Sequence, residues 1–318
     1  GGWMVQYLTW HWIFLINLPV GLVGCYAVWK FIPDLRGTER TRFDGLGFVL
    51  FGAAMVLITI AMEGLGELHL PHLRVMLLLF GGMACLAAYW LRAGHIDNPL
   101  FAPSLFRTRT FAVGILGNLF ARLGSGALPF LVPLLLQVAL GYSPSQAGMS
   151  MLPLAAAAML AKSVARPLIE RFGYRMVLTS NTLALGIMLA SMGLVSEQTP
   201  YWLLLCLLAV LGAINSLQFT AMNTVTLIDL DDASASSGNS LLSVVAQLSL
   251  SLGVACAGAL LGGFTAEVGN DGVDTILGAF QLTFVTVGIM AMLAATIFSQ
   301  LSREDGRRVK RPESHIEP

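Results

Sequence analysis

The sequence predicts an all-α polytopic membrane protein, and three observations carry that prediction. Of 318 residues, 56% are apolar and 11% charged, with a mean hydropathy of +0.76, whereas a soluble domain carries about 25% charged residues. Apolar runs long enough to cross a hydrocarbon core about 30 Å thick recur along the whole chain. The basic residues fall in alternate loops between those runs.

Nine runs meet the length requirement, at 12–32, 45–62, 73–91, 111–137, 146–165, 176–195, 201–226, 237–263 and 277–300. The first ten residues read as the end of another. With these runs in place, sixteen of the eighteen Lys and Arg lie on one side: Lys30, Arg36, Arg40 and Arg42, then Arg92, Arg107 and Arg109, then Lys162, Arg166, Arg171 and Arg175, then the five basic residues of the tail. The opposite loops hold only Arg74, and Arg122 is left inside a run. The positive-inside rule puts the sixteen, with the C-terminus, in the cytoplasm. Tyr7, Trp10 and Trp12 at the outer end of the first run suit an aromatic belt.

Basic and acidic residues number 18 each, so net charge gives no reason to expect a nucleic-acid partner. Cys25, Cys85, Cys206 and Cys256 all fall in apolar runs, without disulfide or zinc-ligand spacing, and read as buried small apolar residues. Glu67, His69 and His72 are explained better by a solvated outer loop than by a metal site. No phosphate-binding loop, dinucleotide loop or Ser/His/Asp spacing occurs. The expectation is no enzyme, no cofactor and no metal.

Arg122 is the residue around which the chain is organised. At about 1.5 Å per residue it lies roughly 16 Å in from Phe111, near mid-membrane. Asn118, Arg122, Ser125 and Pro129 share one helical face, and Gly124, Gly126, Pro129 and Pro133 weaken the helix beyond it. Charges at that depth face a bundle interior or a watery cavity, so the seam points inward, as a structural staple on neighbouring carbonyls or as a site for substrate or counter-ion. No carboxylate lies mid-membrane: Glu63, Glu67, Glu197, Glu267, Asp271 and Asp274 are assigned to the outer side and the other twelve acidic residues to the cytoplasmic side.

Two more spans carry polar residues. Ser236, Ser240, Ser243, Gln247 and Ser251 fall within about 80° of arc and continue into Gly258 and Gly262, a GxxxG pair that suits close helix packing. Gln247 is the functional candidate of that stripe. Asn215, Ser216, Gln218, Thr220 and Asn223 cover a wider arc, and some of them should meet water or ligand.

The turn PLIERFGYRMVL, Pro167 to Leu178, is the most specific signal. It reads as a tight cytoplasmic turn in which Glu170, Arg171 and Arg175 pair with each other and cap helix ends. It also resembles the G-x-L-A-D-R-x-G-R-R loop of major facilitator transporters, with Leu168, Glu170, Arg171, Gly173 and Arg175 in place; Arg166 stands for the first glycine and Tyr174 for a basic residue. Gly1 to Gly21 and SLFRTRTFAVG, Ser104 to Gly114, together with SSGNSLLS, Ser236 to Ser243, narrow the resemblance to the fourteen-span drug:proton antiporters of that superfamily.

That resemblance implies a major facilitator fold in which the nine spans correspond to helices six to fourteen, helices one to four and most of five being absent. Residues 1–32 would then be the end of the first half, 33–110 a linker region with two extra spans, 111–300 the second six-helix half and 301–318 a cytoplasmic tail. It implies proton-coupled, multidrug-type efflux across a bacterial inner membrane by alternating access, as a monomer, with lipid, a small-molecule substrate and protons as partners. The proton-carrying carboxylate would belong to the absent half. Arg122, Asn118, Asn215, Gln218 and Gln247 are the expected cavity wall, and Glu170, Arg171, Gly173 and Arg175 the expected conformational latch. An arginine without a local carboxylate suits an anionic substrate group, so an exporter of an organic acid or metal chelate such as citrate is the alternative. A membrane sensor or assembly partner that keeps the scaffold without transporting is the rival from another class.

Overall fold

A computed structural model describes residues 4, 11–31, 44–66, 71–96, 99–268, 273–302 and 305. Among the described residues all regular structure is helical. Helices α1 (His11–Leu15) and α2 (Asn17–Phe31) form the first run, with Pro19 in the first turn of α2, where its missing N–H leaves no helical bond unmade. Helices α3 (Gly45–Gly66) and α4 (His72–Ala93) pack on each other as a hairpin. Then follow α5 (Arg109–Gly126), α6 (Leu128–Leu134) and a wide helical turn, Leu135–Ala139. The chain continues through α7 (Pro144–Ser150), α8 (Leu152–Met192), α9 (Tyr201–Leu227), α10 (Asp232–Val268) and α11 (Val273–Phe298).

Seven helical stretches among the described residues are long and apolar enough to cross a membrane. One of them, Pro144–Met192, has 49 residues, roughly 74 Å if straight, far more than one crossing needs. Its backbone turns at Gly173, with φ 78 and ψ 160, a region that only glycine occupies without strain. This stretch holds the two runs 146–165 and 176–195. With α1 and α2, each too short to qualify alone, the stretches account for all nine runs. The main boundary difference is α10, which begins at Asp232, five residues before the run at 237, so SSGNSLLS lies wholly inside the helix rather than at its start.

The charged ends converge as the loop pattern requires. Arg109 donates to the Gln300 carbonyl and lies 4.0 Å from Asp305. Asp305 in turn lines a cleft with Lys162, Arg166 and Glu170. At the opposite end Gln281 donates to the Val195 carbonyl at 3.2 Å, and the Ser150 and Tyr201 hydroxyls lie 3.2 Å apart. The hairpin is fastened at the basic end: Arg92 reaches Asp44 at 2.6 Å, and the Tyr89 hydroxyl donates to the Phe101 carbonyl and accepts from the Phe101 N–H. Phe51, Tyr89, Phe101 and Phe111 continue this contact into Leu241 and Leu242 of α10.

Two packing expectations are corrected. The cysteines are not buried: Cys25 and Cys206 are exposed and Cys85 and Cys256 half-buried, all four as free thiols. The GxxxG pair does not mark a close crossing, since a methyl group on Gly262 would meet nothing within 4 Å and one on Gly258 only the Phe130 ring at 3.9 Å. Periodicity identifies the small-residue face of α10 but not the part of it that a neighbour meets. The crossing occurs at Gly253, where a methyl group would sit 2.8 Å from the Leu123 carbonyl and 3.0 Å from Gly126 Cα. Ser236, Ser240, Ser243 and Gln247 stay exposed.

Candidate functional site

The α5–α10 crossing shapes the site. Helix α5 ends at Gly126, Pro129 cannot donate a backbone bond, and α6 restarts with Leu131 N–H on the Ala127 carbonyl at 2.8 Å. Beside this break lies a cavity of about 310 Å³, lined by Arg122, Ser125, Asn215, Gln218, Phe219 and Met222, with Leu154 from α8 and Leu250 from α10. The helix break at membrane depth is thus covered by protein, as an interrupted backbone there requires.

Arg122 is buried, only 5% exposed. Its Nε donates to Asn118 Oδ1 at 2.9 Å, and Asn118 Nδ2 donates to the Gly114 carbonyl at 3.0 Å, so the amide is oriented before it receives the guanidinium. The guanidinium centre lies 4.5 Å from the Phe219 ring centroid, within cation–π range. Its Nη2 is buried with no hydrogen-bond partner, and no carboxylate pairs with Arg122 among the described residues. A buried cation with a donor to spare is costly until an acceptor meets it. Chemically the arrangement can receive a carboxylate, phosphate or other anionic oxygen. Among the described residues the partners of Arg122 are a side-chain amide and an aromatic face, and no backbone carbonyl accepts from it.

The other expected wall residues separate. Asn215 lines the same cavity. Gln218 does too, but its amide is committed: Asn181 Nδ2 donates to Gln218 Oε1 at 2.8 Å, and Gln218 Nε2 donates to Thr182 Oγ1 at 2.8 Å. Gln218 therefore joins α9 to α8. Asn181, also bonded to the Ile214 carbonyl at 2.9 Å, was missed by sequence reasoning, although the polar cluster Thr179 to Thr182 inside an apolar run was a signal. Gln247 lies elsewhere, in a second cavity of about 350 Å³ with Glu63 and Ser251 that shares only Pro129 and Leu250 with the first. Glu63, assigned to the outer edge, is drawn into that wall by the packing of α3 on α10. Ser216 donates to the Ala158 carbonyl at 2.7 Å and ties α9 to α8, while Thr220 bonds back within its own helix to the Ser216 carbonyl at 2.9 Å and lines the cleft at Asp305.

At the Gly173 turn the expected pairing is corrected. Arg166 Nε donates to Glu170 Oε1 at 2.8 Å along one helical face, an i,i+4 pair. Arg171 instead lies 5.3 Å from the Phe172 ring, and neither it nor Arg175 forms an ion pair among the described residues. Arg166 stands one turn before Glu170 on the same face, whereas Arg171, the next residue, points about 100° around the helix, and Arg175 follows the turn at Gly173.

Helices that enclose a partly polar cavity at membrane depth define a multi-pass membrane protein with an internal site. The chain belongs to the Major Facilitator Superfamily, whose family model matches residues 1–254 and residues 114–317. Among its relatives are three that bear the name multidrug resistance protein MdtD. One from Pectobacterium atrosepticum is 42% identical over 306 residues, covering 95% of this chain and 64% of the relative. That of Serratia proteamaculans is 43% identical over 301 residues, covering 95% and 63%. That of Yersinia enterocolitica is 40% identical over 314 residues, covering 99% and 67%. The chain thus spans a little under two thirds of the length of the first two.

Proposed function

We propose that this chain forms the larger part of a proton-coupled exporter of the bacterial inner membrane, which moves a small molecule by alternating access and binds an anionic group of that molecule at Arg122. The observation that carries the reading is the buried guanidinium with Nη2 unpartnered beside the cavity. The relatives' name, multidrug resistance protein, supports efflux as the direction of transport. Organic acids and metal chelates such as citrate are the substrates best suited to the arginine; a purely cationic drug would gain nothing from it. The basic end of the bundle, with the C-terminus, faces the cytoplasm in this reading, supported by the convergence of Arg109, Lys162 and Arg166 on Asp305. Cysteine labelling from outside that reached Ser314 would overturn this orientation.

The test is exchange by the full-length protein in proteoliposomes. Arg122→Ala should weaken binding of an anionic substrate by about ten- to a hundredfold, the worth of a charge-assisted hydrogen bond. Arg122→Lys should restore part of it, since an ammonium lacks the planar fork. If Arg122 instead balances a carboxylate elsewhere in the protein, Arg122→Ala shifts the pH dependence of exchange and leaves substrate affinity in place. Unchanged affinity and unchanged pH profile in a folded variant would sink the site.

A further inference from the structure

A larger hollow lies elsewhere on the bundle and shares no lining residue with the Arg122 cavity. It is a groove of about 700 Å³ that runs from the Gly173 turn along the following half of α8, beside Ser299 just past the end of α11. Its polar wall holds Arg171, Arg175, Thr179 and Ser299. Both arginines are exposed and without ion pairs among the described residues, and Thr179 Oγ1 is buried with no hydrogen-bond partner.

Below the arginines the groove turns apolar. Met176 and Leu183 line it, 60% and 41% exposed, and Ile187, one turn beyond Leu183 on α8, and Leu293 on α11 are also exposed, at 58% and 64%. Both helices are long and apolar enough to span a membrane, so side chains exposed along them at that depth meet hydrocarbon. Two guanidinium groups without an ion pair among the described residues therefore stand at the membrane surface over an apolar trough.

We propose that this groove binds one anionic phospholipid of the adjacent leaflet, its phosphodiester held between Arg171 and Arg175 and one acyl chain lying along Met176 and Leu183. Planar guanidinium groups match phosphate oxygens, and the negative surface charge of a leaflet rich in anionic lipid adds to the attraction. A soluble anion would satisfy the arginines but leave the trough uncovered. Because Gly173 also lines the groove, a lipid held there bears directly on the turn between the two spans of α8.

The test is lipid retention by the full-length protein in phosphatidylcholine nanodiscs doped with phosphatidylglycerol, read by native mass spectrometry. Phosphatidylglycerol should be retained in preference to phosphatidylcholine. Arg171→Gln and Arg175→Gln should each lower that preference about fivefold, as expected for one basic residue at the membrane surface. Each single variant carries the test if the double variant does not fold. Arg107→Gln and Lys162→Gln, at exposed basic positions outside the groove, should leave the preference within twofold. An equal loss in these controls would mean diffuse attraction to the surface and would overturn the site. So would displacement of the lipid by inorganic phosphate, which would make the groove a site for a soluble anion.

Discussion

Asn181 Nδ2 donates to Gln218 Oε1 at 2.8 Å across the α8–α9 interface, and the same Gln218 passes its own N–H to Thr182. The polar group that the sequence offers as a substrate ligand is thus already in use between two helices. Interhelical hydrogen bonds in membranes are worth about 0.6 kcal/mol on average and up to about 1.7. Gln218→Leu should therefore lower unfolding stability in detergent by roughly 1 kcal/mol and leave substrate affinity within twofold. A tenfold loss of affinity with unchanged stability would return Gln218 to the binding site.

Gly173 sits at φ 78 and ψ 160, where a side chain is strained by about 1 to 3 kcal/mol. Gly173→Ala should lower the melting temperature and slow exchange together. Arg171→Ala removes no ion pair among the described residues; if Arg171 is part of the proposed conformational latch, the variant should lower exchange while abundance stays near normal. The Arg166–Glu170 pair is exposed on both sides, so Arg166→Ala, which frees Glu170, should leave the melting temperature near that of the wild type. Wild-type exchange by well-expressed Arg171→Ala would remove the latch.

The Asp44 carboxylate caps α3 through the Gly47 N–H at 2.9 Å and receives Arg92 at 2.6 Å. Burial pushes its pKa up, but the Gly47 N–H and the Arg92 guanidinium together outweigh that and hold it below the usual carboxylate range. A carboxyl lowered in the folded state contributes stability above its unfolded pKa of about 3.9, and that contribution is lost as pH falls through the lower folded value. The wild-type melting temperature should accordingly drop in that acid range. Asp44→Asn should melt roughly 2–4 °C lower at neutral pH and show a flatter acid slope. An identical acid slope in the variant would show that Asp44 does not contribute.

Much of this was legible because membrane burial makes sequence signals coarse and strong. A lone arginine in an apolar run marks Arg122, and a glycine among charges marks the turn at Gly173. What remained hidden depends on which faces meet. Gln247 and Asn215 sit on polar arcs of different helices, and periodicity gives each arc but not its neighbour; packing puts Gln247 with Glu63 and Asn215 with Arg122. The partner of Glu170 was ambiguous for a related reason, since Arg166, Arg171 and Arg175 are all near in sequence; the helix runs unbroken through 166–171, which puts Arg166 on the face of Glu170, and Arg175 lies beyond the turn at Gly173. Asn181 escaped notice because its value lies in an acceptor on another helix.

Arg122 is held by two residues that need not touch substrate, and their effects should separate. Phe219 supplies the aromatic face at 4.5 Å, an interaction worth roughly 1 kcal/mol or more when desolvated. Phe219→Leu keeps the wall apolar and removes only the ring, so it should weaken anionic substrate binding by about fivefold with little change in stability. Asn118 fixes the Nε side of the guanidinium and leaves Nη2 toward other acceptors. Asn118→Leu strips that partner, so the buried guanidinium would have two unsatisfied donors and reorient toward whatever acceptor the cavity offers. It should lower stability by about 1 to 2 kcal/mol and blur selectivity between mono- and dicarboxylates, measured as the ratio of their affinities by equilibrium binding. If Phe219→Leu and Asn118→Leu both leave anion affinity and selectivity unchanged while the protein stays folded, the guanidinium is not positioned for a ligand and Arg122 serves packing alone.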